Sequence, residues 1–309
     1  MAQWHNFTMV ALSDAFRCRV ICYNGGVRKI KQLILGVLNR IDVHLPLWAG
    51  IRVRNRWLFR PVLDYVEFHL ADHCNLNCAG CTHYSPYLPH RFADLDVVRR
   101  DFARLAEMFA NVRHVRIMGG EPLLHPEVVP CLGIVRAALP RSRVTVATNG
   151  LLLARQPPAF WEACRRNRIG VDLTLYPPMA GREDEIRALC RRERVALRVT
   201  PNGAFLAKLD PAGRQPPKAA FRACRRGAFC PFLRDGRIYP CAESCLSPAY
   251  NAATGAKLMP ADGLELATHT AREVLTYLMC PVFACRHCSP RHRVFTWRNA
   301  GTKPEDWVA

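Results

Sequence analysis

The feature that most constrains the fold is a regular alternation of strand and helix patterns that begins at residue 64. Short apolar and β-branched runs predict strands at 64–71, 114–122, 143–150, 169–178 and 195–201. Apolar residues at helical spacing predict helices at 94–110, 125–139, 158–167 and 183–194. Strands separated by helices pair in parallel through right-handed crossovers. We therefore expect an α/β fold with its chemistry at the carboxyl ends of the strands.

The first predicted helix carries its own start signal. Asp94 precedes the helical pattern, and its carboxylate can accept hydrogen bonds from the first free backbone N–H groups. One face of the helix is apolar and consists of Leu95, Val98, Phe102, Leu105 and Phe109. We expect this face to pack against the sheet.

The composition changes on both sides of this alternation. Residues 1–60 carry ten basic residues and two acids, and within them 27–41 reads as an amphipathic basic helix. That helix is either docked on the core or in peripheral contact with an anionic membrane surface. Residues 201–224 are rich in Pro, Gly and Ala and predict a linker or cover loop. We divide the chain into an extension (1–60), an α/β unit (61–215) and a smaller cysteine-rich unit (216–309).

The net charge indicates which partners to expect, and the N-terminal sequence indicates the cellular compartment. The net charge is +19, and 38 of the 44 basic residues are arginines. This reflects either a compositional bias that leaves a solvated surface or an anionic partner. No nucleic-acid-binding signature is evident, so no nucleic acid is expected as partner. Neither a signal peptide nor an apolar run of about 18 residues is seen. We expect a cytoplasmic protein.

Cysteines are unusually frequent, and three of them lie close together. The chain has 15, an odd number, and in a reducing compartment clustered thiols bind metal more often than they pair. Cys74, Cys78 and Cys81 follow the first strand with the spacing C-x3-C-x2-C. Structural zinc uses four closed ligands, whereas an iron–sulfur cluster held by three thiolates keeps one iron open. From the spacing alone, an iron–sulfur cluster, zinc and coincidence all stay open.

The position of the three cysteines and a second motif together indicate a resemblance to a known family. "MGGEPLLHP" follows the second strand, as the cysteines follow the first. In both respects the chain resembles the radical S-adenosylmethionine (SAM) superfamily, over about residues 64–200. The resemblance implies a partial (β/α)6, TIM-like barrel with a small C-terminal metal-cluster domain.

The resemblance also implies roles for particular residues. Cys74, Cys78 and Cys81 would bind a four-iron four-sulfur cluster whose open iron takes SAM. The residues expected to contact SAM are Gly119, Gly120, Glu121, Pro122, Thr148, Asn149 and Thr174, with Tyr176 as a further contact to ribose or substrate. Many family members carry an aromatic residue before the third cysteine, to pack by the adenine. Here that position is Gly80, and His83 or Tyr84 is expected to stack instead.

A second group of cysteines lies near the C-terminus. Gly236 and Cys241 form G-x4-C, and Cys285 and Cys288 form C-x2-C. This is similar to the short auxiliary-cluster extensions of SPASM or twitch type. The resemblance implies an auxiliary four-iron cluster bound by Cys230, Cys241, Cys285 and Cys288, with Cys224, Cys245 or Cys280 as substitutes. Zinc on the same thiols is the alternative. Cys245 is a candidate hydrogen donor to a substrate radical, and other catalytic residues are unknown.

The resemblance implies reductive cleavage of SAM and abstraction of a substrate hydrogen atom by the resulting 5′-deoxyadenosyl radical. Motifs such as "LRDGRIYPC" and the closing "EDW" resemble a subgroup associated with sugar and polysaccharide biosynthesis. A glycosyl or other small-molecule substrate is therefore expected, with an oxidoreductase or epimerase type of reaction. The electron donor would be a flavodoxin or ferredoxin. The alternatives are a maturase of a ribosomal peptide and a non-enzymatic iron–sulfur or zinc protein.

Overall fold

The computed structural model describes residues 60–225, 229–299 and 303–309. The N-terminal extension, with its predicted helix at 27–41, lies outside these ranges. Within them, no helix is long and apolar enough to cross a membrane.

The predicted strands form one parallel sheet, which confirms the fold class. Neighbouring strands pair in parallel in the order β5-β4-β3-β2-β1. Their bounds are β1 (Val62–Ala71), β2 (Asn111–Gly119), β3 (Arg143–Thr148), β4 (Ile169–Leu175) and β5 (Leu197–Pro201).

Four helices connect these strands, at the predicted places. They are α1 (Leu95–Met108), α2 (Val128–Ala138), α3 (Pro158–Arg166) and α4 (Glu183–Arg192). The Asp94 side chain caps α1 by accepting from Asp96 N at 2.8 Å and from Val97 N at 3.4 Å. Phe102 and Leu105 of its apolar face are fully buried, and each contributes about 1.5–3 kcal/mol through burial.

The two faces of the sheet differ in chemistry. Because successive strand residues point to opposite sides, Val66, Phe68 and Leu70 of β1 join the core that the helices cover. Tyr65, Glu67 and His69 lie on the other side. The same side carries polar residues from the next strands, and we call the whole set the polar face: Tyr65, Glu67, His69, His114, Arg116, Thr145 and Asp172.

The stretch after β5 was predicted as a linker or cover loop, and the structure shows regular elements there instead. It contains β6 (Ala204–Leu209) and α5 (Pro217–Arg225). β6 pairs antiparallel with β10 (Cys288–Thr296) in a separate two-stranded sheet. A six-residue strand whose partner lies some 80 positions away gives little local signal, and the flanking Pro and Gly residues obscured it.

The C-terminal region extends the main sheet beyond β1. The strand β7 (Phe232–Arg234) pairs in parallel with β1, and β8 (Arg237–Tyr239) and β9 (Leu264–Glu265) continue antiparallel. Asp235 and Gly236 connect β7 to β8 with φ of 50° and 79°, as a type I′ turn requires. The helices of this region are α6 (Ala242–Thr254) and α7 (Ala271–Leu278). The division at residue 215 stays a prediction.

Candidate active site

The three-cysteine loop leaves the carboxyl end of β1 and packs into a small apolar cluster. Cys74, Cys78 and Cys81 lie in it beside Phe205 of β6 and Trp297. Burial raises the pKa of Cys74 to about 12 and of Cys78 to about 11, and the charges of neighbouring thiols raise both further. Burial also raises the pKa of Cys81. Without a metal these thiols are protonated. A metal centre would hold them as thiolates.

This donor set fits an iron–sulfur cluster. Three soft sulfur donors lie on one loop, near enough for the charges of Cys78 and Cys81 to act on Cys74, at the edge of the sheet where α/β proteins place their cofactors. In the parts of the chain that the structure describes, no three His, Cys, Asp or Glu side chains converge as ligands of one metal ion do. In a cluster, by contrast, each thiolate binds a different iron.

The two glycines at the end of β2, Gly119 and Gly120, are explained by the close approach of another backbone segment. A Cβ on Gly119 would lie 2.0 Å from the Ala71 carbonyl oxygen, and one on Gly120 would lie 2.2 Å from that of His73. Gly120 N donates to Ala71 O at 2.8 Å, and Glu121 N donates to His73 O at 3.0 Å. The strip 119–122 therefore holds the start of the cysteine loop. Its contact with SAM stays a prediction.

Substituting Gly120 tests this packing. Gly120→Ala forces a backbone shift and should destabilise the fold by about 3 kcal/mol, the upper range for overpacking. Gly133→Ala is the matched control, because nothing lies within 4 Å of a Cβ there. In the helix α2 that change should stabilise by about 0.5–1 kcal/mol. Anaerobic urea unfolding measures both, and equal effects would contradict the packing argument.

Glu121 joins the ends of β2 and β3. Its fully buried carboxylate accepts from Thr148 Oγ1 at 2.7 Å, Asn149 N at 2.9 Å and Leu123 N at 3.1 Å. The Asn149 side chain in turn donates to Asn75 Oδ1 at 2.7 Å and approaches Cys74 Sγ at 3.7 Å. Glu121 and Thr148 thus position Asn149 against the cysteine loop.

The same carboxyl gives a pH prediction. Burial raises the pKa of Glu121 to about 7, although its hydrogen bonds oppose this. Between about pH 4.5 and 7 the unfolded carboxyl ionises while the folded one stays protonated. The free energy of unfolding should therefore fall by about 3 kcal/mol as the pH rises through this window.

Glu121→Gln should flatten this fall, as measured by denaturant unfolding at several pH values. Some of the fall should remain, because burial also raises the pKa of Glu67 to about 7. Glu162→Gln, on the exposed face of α3, should leave the profile as in the parent. A Glu121→Gln profile as steep as the parent's would contradict the prediction.

Aromatic side chains line the loop. Tyr176 stacks on Phe205 and Trp297, with ring centroids 5.8 and 6.2 Å apart. Burial and then the charges of Cys81 and Cys78 raise the pKa of its phenol, which places the ring beside the thiols. Thr174, two residues earlier, pairs with Thr200 of β5.

The two residues expected to stack on the adenine have contacts within the protein. Tyr84 is 3% exposed and packs against Tyr250 and Trp307. His83 contacts His69 through ring nitrogens 2.8 Å apart. Their stacking role stays a prediction.

The C-terminal segment, residues 288–299 and 303–309, covers the loop. Ala79 N donates to Arg298 O at 3.0 Å, and Asn77 N donates to Asn299 Oδ1 at 2.7 Å. Two indoles add contacts that the sequence did not predict: Trp297 Nε1 donates to Cys78 Sγ at 3.1 Å, and Trp307 Nε1 donates to Cys81 O at 2.8 Å. The only sequence signal was the presence of two tryptophans in this tail.

Phe295 of this segment explains why residue 80 is glycine. Gly80 has a φ of +67°, and a Cβ there would lie 2.6 Å from Phe295 Cζ. The ring of Phe295 therefore occupies the space into which a side chain at position 80 would point. An aromatic residue at position 80 would be excluded both by the backbone conformation and by this ring.

Three of the predicted auxiliary ligands, Cys230, Cys241 and Cys288, lie near Cys224, which the sequence analysis named as a substitute, and their role as ligands stays a prediction. Burial raises the pKa of Cys230 and of Cys288, and charges from Cys241 and Cys224 raise both further. Cys224 lies in α5 and Cys230 lies just before β7. Cys241 is the N-cap of α6, and Cys288 is the first residue of β10. Cys285 lies in the turn of 3-10 helix just before Cys288.

Cys245 lies one turn further along α6 than Cys241. Burial raises the pKa of its thiol to about 12, and a hydrogen bond with Tyr239 and the charge of Arg234 oppose this. Its role as hydrogen donor stays a prediction.

The polar face is a further candidate site that the sequence reasoning missed. Tyr65 OH donates to Glu67 Oε2 at 2.6 Å, and Thr145 Oγ1 donates to Asp172 Oδ2 at 3.0 Å. Two buried atoms, Arg116 Nε and Asp172 Oδ1, make no hydrogen bond to any described residue. They lie instead in ion pairs, Arg116 Nε with Asp172 Oδ2 at 3.7 Å and Asp172 Oδ1 with Arg143 at 3.8 Å. A polar ligand could supply the hydrogen bonds that these two atoms lack. The signal was the alternation of Tyr65, Glu67 and His69 in the first strand.

Comparisons with known proteins find similarity over part of the chain. The sequence pattern of the Radical SAM superfamily matches residues 69–204. The GTP 3′,8-cyclase of Chlorobaculum tepidum is 39% identical over 119 residues, which are 38% of this chain and 34% of that protein. The same enzyme of Limosilactobacillus fermentum is 33% identical over 124 residues, which are 39% of this chain and 36% of that protein. The chain thus spans about a third of the length of these relatives.

Solved structures are also similar, at low sequence identity. BtrN in complex with AdoMet and 2-DOIA has a TM-score of 0.44 and 13% identity, over 70% of this chain and 83% of that one. The enzyme anSMEcpe with bound AdoMet has a TM-score of 0.38 and 16% identity, over 45% of this chain and 43% of that one.

Proposed function

Because the chain belongs to the radical SAM superfamily through residues 69–204, we propose that it cleaves SAM reductively and abstracts a hydrogen atom from a small polar substrate. The observation that carries the proposal is that Cys74, Cys78 and Cys81 lie on one loop after β1 and pack into the same small cluster. When bound there, the cluster and SAM supply an electron and a 5′-deoxyadenosyl radical.

The chain's own residues would bind and shield this chemistry. Asn149 and the backbone at Gly119 and Gly120 border the cysteine loop and would contact the amino acid part of SAM. Tyr176, Phe205 and Phe295 form aromatic walls that keep water away from a reactive radical. These groups would orient SAM and exclude water. The hydrogen atom passes directly from the substrate to the radical, so none of these residues has to donate or accept a proton.

The polar face supports a hydroxyl-bearing substrate such as a sugar or glycoside. Its carboxylates can accept from hydroxyl groups, and Arg116 can donate to substrate oxygens. Lys208 of β6 and Glu243 of α6 form an ion pair at 2.7 Å near this face. Opposite charges are mixed there, which fits a neutral polyol better than a strongly anionic molecule. Oxidation or epimerisation of a carbon centre would follow abstraction.

The curated relatives supply a second candidate, the cyclisation of GTP. The match covers about a third of each relative. The superfamily pattern itself ends at residue 204, before the C-terminal cysteines. Maturation of a peptide is a third candidate. The electron donor, a flavodoxin or ferredoxin, is part of the proposal in each case.

The test is a SAM cleavage assay on anaerobically reconstituted protein. With dithionite as reductant, we expect methionine and 5′-deoxyadenosine in equal amounts. A panel of nucleotide-linked sugars, GTP and peptides should then identify a substrate whose C–D bond transfers deuterium to 5′-deoxyadenosine. Transfer from GTP would favour the cyclase candidate. A fully assembled cluster with no SAM cleavage would overturn the proposal in favour of a non-enzymatic iron–sulfur protein.

A further inference from the structure

One contact between the C-terminal segment and the cysteine loop bears directly on a sulfur atom. Trp297 Nε1 lies 3.1 Å from Cys78 Sγ and donates to it. The Cys78 residue is 7% exposed. A short N–H···S contact in such a buried place is a strong electrostatic interaction, because little water competes with it.

The indole is fixed on several sides. Its own backbone N–H donates to Gly203 O at 2.9 Å, and the following residue accepts from Ala79 N at 3.0 Å. Its ring stacks near Tyr176, with centroids 6.2 Å apart. The strand β10 ends one residue before it. The direction of the N–H is therefore set by the fold and not by a mobile side chain.

We propose that Trp297 raises the reduction potential of the cluster through this hydrogen bond to Cys78. Trp297 would thus act on electron transfer through the Cys78 sulfur, without itself touching SAM or substrate. The inference rests on the proposed role of Cys78 as a cluster ligand. The reduced cluster carries one more negative charge than the oxidised one. The positive end of an N–H dipole stabilises the more negative state more strongly, and hydrogen bonds to the sulfurs set cluster potentials.

The consequence is that the C-terminal segment controls how easily the cluster accepts its electron. Trp297 lies 219 positions after Cys78. It follows β10, which begins at Cys288, one of the proposed auxiliary ligands. Changes in the C-terminal unit would therefore reach the SAM-cleaving cluster through one strand and one indole.

The test is an EPR-monitored redox titration of reconstituted protein, in which the signal that changes on addition of SAM identifies the cluster. Trp297→Phe keeps an aromatic ring but removes the donor. It should lower the ratio of reduced to oxidised cluster about tenfold at a fixed potential, a shift of about 59 mV to more negative values for one electron. Trp307→Phe is the matched control, because that indole donates to a carbonyl oxygen and not to sulfur.

A parent potential equal to that of Trp297→Phe, with the SAM-responsive signal intact, would overturn the inference and leave the proposed function standing. Equal shifts of the reduction potential in Trp297→Phe and Trp307→Phe would also overturn the inference, because a general loosening of the C-terminal segment would then explain both. A parent without a SAM-responsive cluster would overturn both. If Trp297→Phe fails to assemble, parent protein labelled with ¹⁵N at the tryptophan indoles decides. A pulsed-EPR coupling between the cluster and one indole nitrogen is expected, and its absence contradicts the inference.

Discussion

Cys78→Ala should abolish the formation of 5′-deoxyadenosine in anaerobically reconstituted protein. With one of three thiolates missing, the loop can no longer hold three irons, and the open position for SAM is lost with them. The chain itself should stay folded, because Cys78 packs in a small cluster outside the main core. Chromatographic quantification of 5′-deoxyadenosine after addition of dithionite and SAM measures the effect, with circular dichroism as the check on folding.

The matched control is Cys164→Ala. Cys164 is also buried, at 1% exposure, but it lies in α3 within the main core and far along the chain from the loop. Its loss removes a single sulfur from packed apolar surroundings and should leave the yield of 5′-deoxyadenosine close to that of the parent. Cleavage retained in Cys78→Ala, or lost equally in Cys164→Ala, would contradict the assignment of the loop.

The sequence predicted those parts of the molecule whose signals are local. The strands β1 to β5 and the helices between them are marked by periodic patterns and, at Asp94, by a cap that the structure shows. The cysteine loop was placed correctly because a loop that follows a parallel strand must lie at the carboxyl edge of the sheet. The glycines at 119 and 120 were noticed as a motif. Their physical reason, contact with the backbone of residues 71 and 73, requires coordinates.

The parts that the sequence did not predict depend on contacts between distant segments. β6 exists because β10 pairs with it. Trp297 and Phe295 reach the cysteine loop only because that pairing carries the tail back across it. Nothing local to residues 72–86 shows that Gly80 faces a ring from position 295. Long-range pairing of this kind has no signature in a single sequence.

The second large prediction concerns the auxiliary thiols and the iron that they would bind. The charges of Cys224 and Cys241 raise the pKa of both Cys230 and Cys288 beyond the effect of burial, so thiols from four segments lie near one another. Cys230 also lies near Glu67 of the polar face. A second cluster here would border the proposed substrate site. With four thiolates it would have no open iron, which suits electron transfer or structural support.

Reconstituted protein should therefore contain about eight irons per chain, from two four-iron clusters. Cys241→Ala combined with Cys288→Ala should remove about half of the iron and spare SAM cleavage, while product formation falls. Cys190→Ala, at a buried core cysteine of α4, is the control and should keep all the iron. Among single variants, Cys224→Ala and Cys285→Ala identify the fourth ligand, because only the true ligand should cost iron. About four irons and one zinc in the parent would instead establish the zinc alternative. An electron-transfer role for this site would then be excluded, since zinc has no redox chemistry.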